Sequence, residues 1–251
     1  MDKKYELTDE KIEAFGTTLY RIRALRNISA FAVKAGDLGG FIEKEENLSH
    51  DGDAWVSDNA RVYGDAWVSG DARVYGDAWV SDNARVYGDA RVYGDAWVYG
   101  NAWVYSDAWV YGNAWVSDNA RVYGDAWVSD NARVYGDARV YGDAWVSGNA
   151  WVYGDARVYG DAWVSDNARV YGDAWVSGDA RVMWASKIGS RLGTTTVFKC
   201  ADDTVKVTCG CFFGTLDEFA QKVEETHGDN RYGREYKAFI ELAKIHFDKE
   251  N

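Results

Sequence analysis

His50, His227 and His246 are the three imidazoles of this chain, and Cys200, Cys209 and Cys211 are its three thiols. A histidine base has to reach a substrate proton, and a zinc site gathers about four N, S or O ligands. These histidines are few and far apart, and residues 53–182 hold none of them. Cys209 alternates with Val205 and Val207, which reads as a small buried hydrophobe rather than a metal ligand. Aspartates are abundant, but the glycine-rich nonapeptide pattern of calcium-binding coils is missing. No catalytic residue, metal ligand or cofactor is therefore assigned, and the expectation is a protein that is not an enzyme. The remaining chemistry is recognition, carried by thirteen Trp, seventeen Tyr and a recurring Arg.

The elements that must position these side chains follow from a repeat. From Asp53 to Val182 the register Asp/Asn, Ala, Trp/Arg, Val, Tyr/Ser, Gly/Asp recurs every six residues through twenty-two modules. Alanine fills every slot from Ala54 to Ala180, and valine every slot from Val56 to Val182. Ala and Val lie two apart, so on a strand they share a side, and the flanking Trp/Arg and Tyr/Ser take the other. Such a strand cannot bury its apolar side alone, and a period of six is not helical, so the chain must coil and stack on itself.

Val56-Ser-Asp-Asn-Ala60-Arg and Val62-Tyr-Gly-Asp-Ala66-Trp resemble, module after module, the signature of the hexapeptide-repeat superfamily. That resemblance implies a mainly β fold: a three-sided left-handed parallel β-helix with three modules per coil, hence about seven 18-residue coils. With strands about 4.8 Å apart, the prism would be on the order of 35 Å long. Many relatives in that superfamily are acyltransferases or resemble gamma-class carbonic anhydrases, but the histidines those activities use are absent from the repeat. Insect antifreeze coils present threonine ladders, and residues 51–182 contain no Thr.

Corners of such a coil favour positive φ, which Gly takes freely and Asn tolerates. Where Gly gives way to Asp, at Asp58, Asp82, Asp118, Asp130 and Asp166, the next residue is Asn, and we read that Asn as the positive-φ residue. Only Ser106-Asp107 offers neither Gly nor Asn, so that corner is expected to differ in shape or in what it touches. Open solenoid ends expose core and strand edges, so the flanks should be caps. Residues 1–52 form an N-terminal cap and first coil, with a strand at 18–25 and Ile42 and Leu48 in the frame of the Ala column. Residues 183–251 form a small C-terminal ββαα domain. Its hairpin is 194–200 and 205–211 around Asp202-Asp203. Its first helix has a Thr215/Glu218 capping box and ends at Gly228, and its second covers about 231–249.

Taking every third module gives vertical columns on the outward faces. One column stacks Trp109, Trp127, Trp145 and Trp163; a second stacks Trp79, Trp97 and Trp115; the third stacks Arg121, Arg139 and Arg157 beside Tyr123, Tyr141 and Tyr159. These ladders stabilise the sheets in the plainest account. A row of exposed Trp also forms the apolar strip and aromatic anchors typical of protein interfaces. The net charge of −12 argues against a phosphate-tracking groove, so DNA is an unlikely partner, although acidic ridges beside Arg faces leave nucleic-acid mimicry as a minor alternative. With neither a hydrophobic leader nor a bilayer-length apolar run, the chain is expected in the cytoplasm and away from membranes.

The hexad array, Tyr20-Arg-Ile-Arg-Ala-Leu25, Gly36-Asp-Leu-Gly-Gly40 and the two-helix end together resemble uncharacterised β-solenoid proteins encoded by bacteriophages and prophages. The resemblance spans the whole chain and implies no activity. Taken with the outward columns, the leading expectation is a non-catalytic binding protein in the bacterial host cytoplasm, engaging a host protein such as a defence component through the Trp/Tyr/Arg faces. Two alternatives stand beside it: a homo-oligomeric, for instance trimeric, structural rod, and capture of an anionic small ligand such as a nucleotide signal.

Overall fold

The structure, a computed structural model, describes residues 3–172, 174–177, 182–200 and 204–248. Two- and three-residue strands, here called rungs, stack into three parallel sheets, and each rung pairs with the rung eighteen residues on, as in Trp55↔Arg73 and Val56↔Val74. The first face runs through rungs at Trp55, Arg73, Arg91, Trp109, Trp127, Trp145 and Trp163. The second runs through Arg61, Trp79, Trp97, Trp115, Arg133, Trp151 and Arg169, and the third through Trp67, Arg85, Trp103, Arg121, Arg139, Arg157 and Trp175. The interior is the Ala-Val column: among the described residues every such Ala and Val from Ala54 to Val176 is at most 1% exposed. Buried Val contributes roughly 1.5–3 kcal/mol per side chain before ordering entropy is counted, so stacking is what holds the coil closed.

The rod makes about eight turns, because a coil precedes the recognisable repeat. Strand β1 (Tyr5–Ala14) pairs antiparallel with β2 (Thr17–Ala24), which pairs antiparallel with β3 (Leu38–Ile42). β3 then joins the second face in parallel, making it ten-stranded. The expected strand at 18–25 is thus found as β2, whereas β1 was not anticipated. Ile42 and Leu48 do not sit over alanines. They pair with Val62 and Val68, twenty residues on, and occupy the valine column. The corner after Leu48 is the cause: eight positions separate Leu48 from Val56 where six separate later valines, which moves the frame by two.

At the corners the left-handed residue is not the Asn that the sequence suggests. The positive φ belongs to the Asp itself (57° at Asp58, 58° at Asp82, 57° at Asp118), not to the Asn that follows. The carboxylate explains the choice, since Asp58, Asp82, Asp118 and Asp130 each accept the N–H of the glycine eighteen residues on, at 3.0–3.1 Å. A Cβ at these corners crowds the next coil: at Gly100 it would lie 2.9 Å from the Asp118 nitrogen. Accordingly no two non-glycine corners lie eighteen residues apart. The Ser106 corner does not differ in shape, since its φ of 60° matches the others. It differs in what it touches: among the described residues its side chain does not accept the N–H eighteen residues on, as Asp58, Asp82, Asp118 and Asp130 do.

The ends are closed by side chains. Bonds flanking each rung run from an N–H of one coil to a carbonyl of the next, as in Trp55 N to Ala72 O (3.0 Å) and Ser57 N to Val74 O (2.9 Å). The first repeat coil therefore starts with carbonyls that no preceding repeat can satisfy. Lys4, fully buried, donates its ammonium to Ala54 O at 2.7 Å and Gly52 O at 3.4 Å, while Asn47 Nδ2 donates to Gly64 O and Ala66 O. Burial, with the neighbouring Arg26 charge, pushes the Lys4 amine down to about 8. At the far end the Arg169 N–H donates to the buried Thr196 hydroxyl, and its carbonyl accepts from Thr208, both at 3.0 Å.

The C-terminal piece holds four antiparallel strands rather than the two expected. Val182–Ile188 and Phe212–Thr215 flank the anticipated hairpin of Gly193–Lys199 and Val205–Cys209. The hairpin tip at Asp202-Asp203 lies outside the described residues. Helix α1 (Leu216–His227) starts at the Thr215/Glu218 capping box and ends at Gly228, and α2 (Arg231–Phe247) packs Tyr236, Phe239, Ile240 and Ala243 against it. Among the described residues no helix is long and apolar enough to cross a membrane.

Two substitutions test this account. Lys4→Met strands the buried Ala54 carbonyl, while Gly52 O keeps the Arg26 guanidinium at 3.1 Å, and should lower unfolding free energy by about 1–3 kcal/mol, with amide exchange rising first around Trp55. Gly100→Ala forces a Cβ onto the neighbouring coil at φ 69° and should destabilise by about 1–3 kcal/mol in denaturant melts, whereas Gly228→Ala, whose Cβ has only a 3.9 Å neighbour, should be milder.

Candidate binding faces

Because Ala and Val turn inward, the residues between them must turn outward, and the pairing places every predicted column in register. Trp109↔Trp127, Trp127↔Trp145 and Trp145↔Trp163 are neighbours on the first face. Their packing depends on the residue sixteen positions earlier. Trp127 meets the edge of Tyr111 and stacks on Trp109 at 5.1 Å with planes 4° apart. Trp145 instead lies over the smaller Ser129, and its indole N–H reaches that hydroxyl at 3.4 Å. The ring therefore swings to 61° from Trp127, and Trp163 repeats the arrangement over Ser147. Trp127, Trp145 and Trp163 remain 36%, 38% and 58% exposed, while Trp109 is half-buried. The corner leading into this face carries Asp at every described level, including Asp107, Asp125, Asp143 and Asp161, so the indoles have an acidic margin.

The second face is partly covered, which the column arithmetic does not reveal. The tip of the β1–β2 hairpin places Phe15 against Trp79, with centroids 4.9 Å apart, and near Trp97 at 6.2 Å. Trp79, Trp97 and Trp115 stack as expected, at 5.0 and 5.9 Å. Above them guanidinium and indole alternate: Arg133 lies between Trp115 and Trp151, and Arg169 covers the other side of Trp151. Trp55, at the foot of the first face, is also covered; it is 1% exposed, with Tyr5 at its edge.

The third face carries Tyr87, Tyr105, Tyr123, Tyr141 and Tyr159 as an unbroken ladder, with rings 4.9–5.0 Å apart and nearly parallel. Beside it Arg121 stacks on Trp103 and Arg157 on Trp175, with Arg139 between them in the strand order. Among the described residues none of these three arginines forms an ion pair. Arg181, at the top of the first column, lies outside the described residues.

The residues that could have done acid–base or metal chemistry are not brought together. His50 stacks on Tyr5 at 4.4 Å and its Nδ1 accepts from the Lys4 N–H, at the foot of the rod. His227 ends α1 against Tyr236, and His246 is exposed on α2. Cys200 is buried, Cys211 is exposed, and Cys209 is half-buried rather than buried: its thiol donates to Tyr236 OH at 3.6 Å and accepts from the Thr195 hydroxyl at 3.2 Å. Among the described residues no three of His, Cys, Asp or Glu are placed to hold a metal ion.

Burial within the ladders raises the phenols of Tyr87, Tyr93, Tyr105, Tyr123 and Tyr141 above their ordinary value of 10.0. Burial pushes Tyr93 up to about 12, with Tyr75 and Tyr111 adding to it, and burial raises Tyr105, Tyr123 and Tyr141 against the opposing pull of the arginines. Between those two pH values the folded state holds protons that the unfolded state has released. The ladders' contribution to stability is therefore complete below pH 10.0 and is lost as pH rises through about 12 for Tyr93. Phenolate absorbance of the native protein should lag behind that of the denaturant-unfolded chain, and urea midpoints should fall across this window.

Eight segments of the rod (54–70, 66–82, 78–94, 84–100, 114–130, 132–148, 150–166 and 162–178) match the family model described as the YdcK beta solenoid repeat. All lie within the hexad array, and none includes either flank. No curated protein matches the chain. Sequence match and coil geometry agree: the rod is a β-solenoid, and its repeat is similar to the YdcK beta solenoid repeat.

Proposed function

We propose that the protein is a non-catalytic binding rod, encoded by a phage or prophage, that occupies a protein of the bacterial host through its first face. The observation that carries this reading is the in-register row Trp109, Trp127, Trp145 and Trp163, three of whose indoles stay substantially exposed on a flat, rigid sheet. Stacking and the Ser hydroxyl contacts restrict these rings before any partner arrives, so little rotamer entropy remains to be lost on docking. Apolar rings beside a carboxylate ladder suit a partner with an apolar strip bordered by Lys or Arg. The proposal includes a host defence component as the most specific form of that partner. The second and third faces carry the same chemistry but are less available or more polar: Phe15 covers part of one, and arginine interrupts the other.

Affinity capture from host lysate tests this, using wild type, Trp127→Ser/Trp145→Ser, and Trp67→Ser as an exposed-indole control on the third face. A host protein recovered by wild type and Trp67→Ser but lost from the double variant is the expected result. A wild-type protein that recovers nothing and sediments as a monomer would overturn the proposal. A defined self-assembly dissolved by the double variant would replace it with the structural-rod reading.

A further inference from the structure

Where the second face meets the C-terminal sheet, a concave site of about 410 Å³ opens on the rod. Its walls come from three successive coils. Asn131, Asn149 and Asn167 line it from the corner, Arg133, Trp151 and Arg169 from the sheet, and Thr194 closes it from the C-terminal sheet. The volume is in the range of small-molecule sites.

The lining is rich in donors that the fold does not use. Among the described residues the side chains of Asn131, Asn149 and Asn167 bond to no protein group. The equivalent ladder at another corner behaves differently: Asn101 donates to Asn119 and Asn119 to Asp137, both at 3.1 Å. Arg133 and Arg169 likewise form no ion pair among the described residues. Each guanidinium stacks on one side of Trp151, with Cζ 5.1 and 4.8 Å from the ring centroid. Stacking occupies the flat side of a guanidinium and leaves its N–H edge for an anion. Two fixed cations facing unused amides in a chain of net charge −12 form a local reversal of sign.

We propose that this site binds an extended oligophosphate. The two guanidiniums are held two coil rises apart, roughly 10 Å along the axis, which suits a chain of phosphates better than a single one. The three amides, one per coil, donate to the oxygens between. This binding is independent of docking at the first face.

Calorimetry on the full chain at low ionic strength, with orthophosphate, inorganic tripolyphosphate and a nucleoside triphosphate as probes, tests it. One tripolyphosphate per chain is expected, bound at least about tenfold more tightly than orthophosphate. Tighter binding of the nucleoside triphosphate would mark a nucleotide as the source, and equal binding a free polyphosphate; either supports the site. Arg133→Gln/Arg169→Gln should weaken tripolyphosphate by about a hundredfold. Asn149→Leu, which leaves the Arg–Trp stack intact, should weaken it by about tenfold. Arg121→Gln/Arg139→Gln/Arg157→Gln on the third face should leave it unchanged. Absence of binding by any probe, or equal loss in the third-face variant, would overturn the proposal.

Discussion

Valine over valine and alanine over alanine, repeated each time the chain completes a turn, is the contact on which the rest of the molecule depends. Two small apolar side chains per module leave room for a dry interior only if the chain closes on itself, and the closed coil then fixes the direction of every other side chain. Outward residues receive no choice of partner: each lies over the residue eighteen positions away. The Trp, Tyr and Arg ladders are thus by-products of core packing before they are anything else. What distinguishes one face from another is the order in which large, small and charged residues occupy the same outward slot.

Much of this was legible because the repeat is short and its two inward columns have no exceptions. The column memberships of Trp127, Arg139 and Tyr141 follow from counting, and the structure places them accordingly. The flanks were harder to read because their contacts are made at long sequence separation by polar side chains. Nothing near Lys4 announces that its ammonium will meet the carbonyl of Ala54, and nothing near Phe15 announces that it will lie on Trp79. The frame change at Ile42 came from two additional corner residues, invisible to a rule that assumes a constant period. At the corners the Gly-to-Asp pattern was visible but its owner was misjudged. A carboxylate that reaches a backbone N–H on the adjacent coil can offset a left-handed backbone, and that partner appears only in three dimensions. The candidate first face was legible as a column; its availability, and the covering of Trp55 and Trp79, were not.

The two kinds of outward packing differ in what they leave free. Where guanidinium alternates with indole, as from Trp115 through Arg133 and Trp151 to Arg169, rings and cations largely satisfy one another and the edges of the guanidiniums become the reactive surface. Where indole follows indole over serine, the rings turn and present area instead. One scaffold thereby offers an apolar strip and a polar, cationic recess without any change in its interior, since neither arrangement alters the Ala-Val columns.

The caps bear on how such a gene can change length. Lys4 and Asn47 bond to main-chain carbonyls at one end, and Thr196 and Thr208 to the main chain at the other, so these polar contacts do not read the identity of a rung, although Phe15 on Trp79 and Tyr5 on Trp55 do. Gain or loss of three modules by replication slippage would lengthen or shorten the rod by one rise and return both caps to the same angular phase. Gain or loss of a single module would instead rotate one end against the other by a third of a revolution, dealing every later Trp and Arg to a different face. Allele length in multiples of eighteen codons is therefore neutral to surface identity, and six-codon steps are a means of shuffling it.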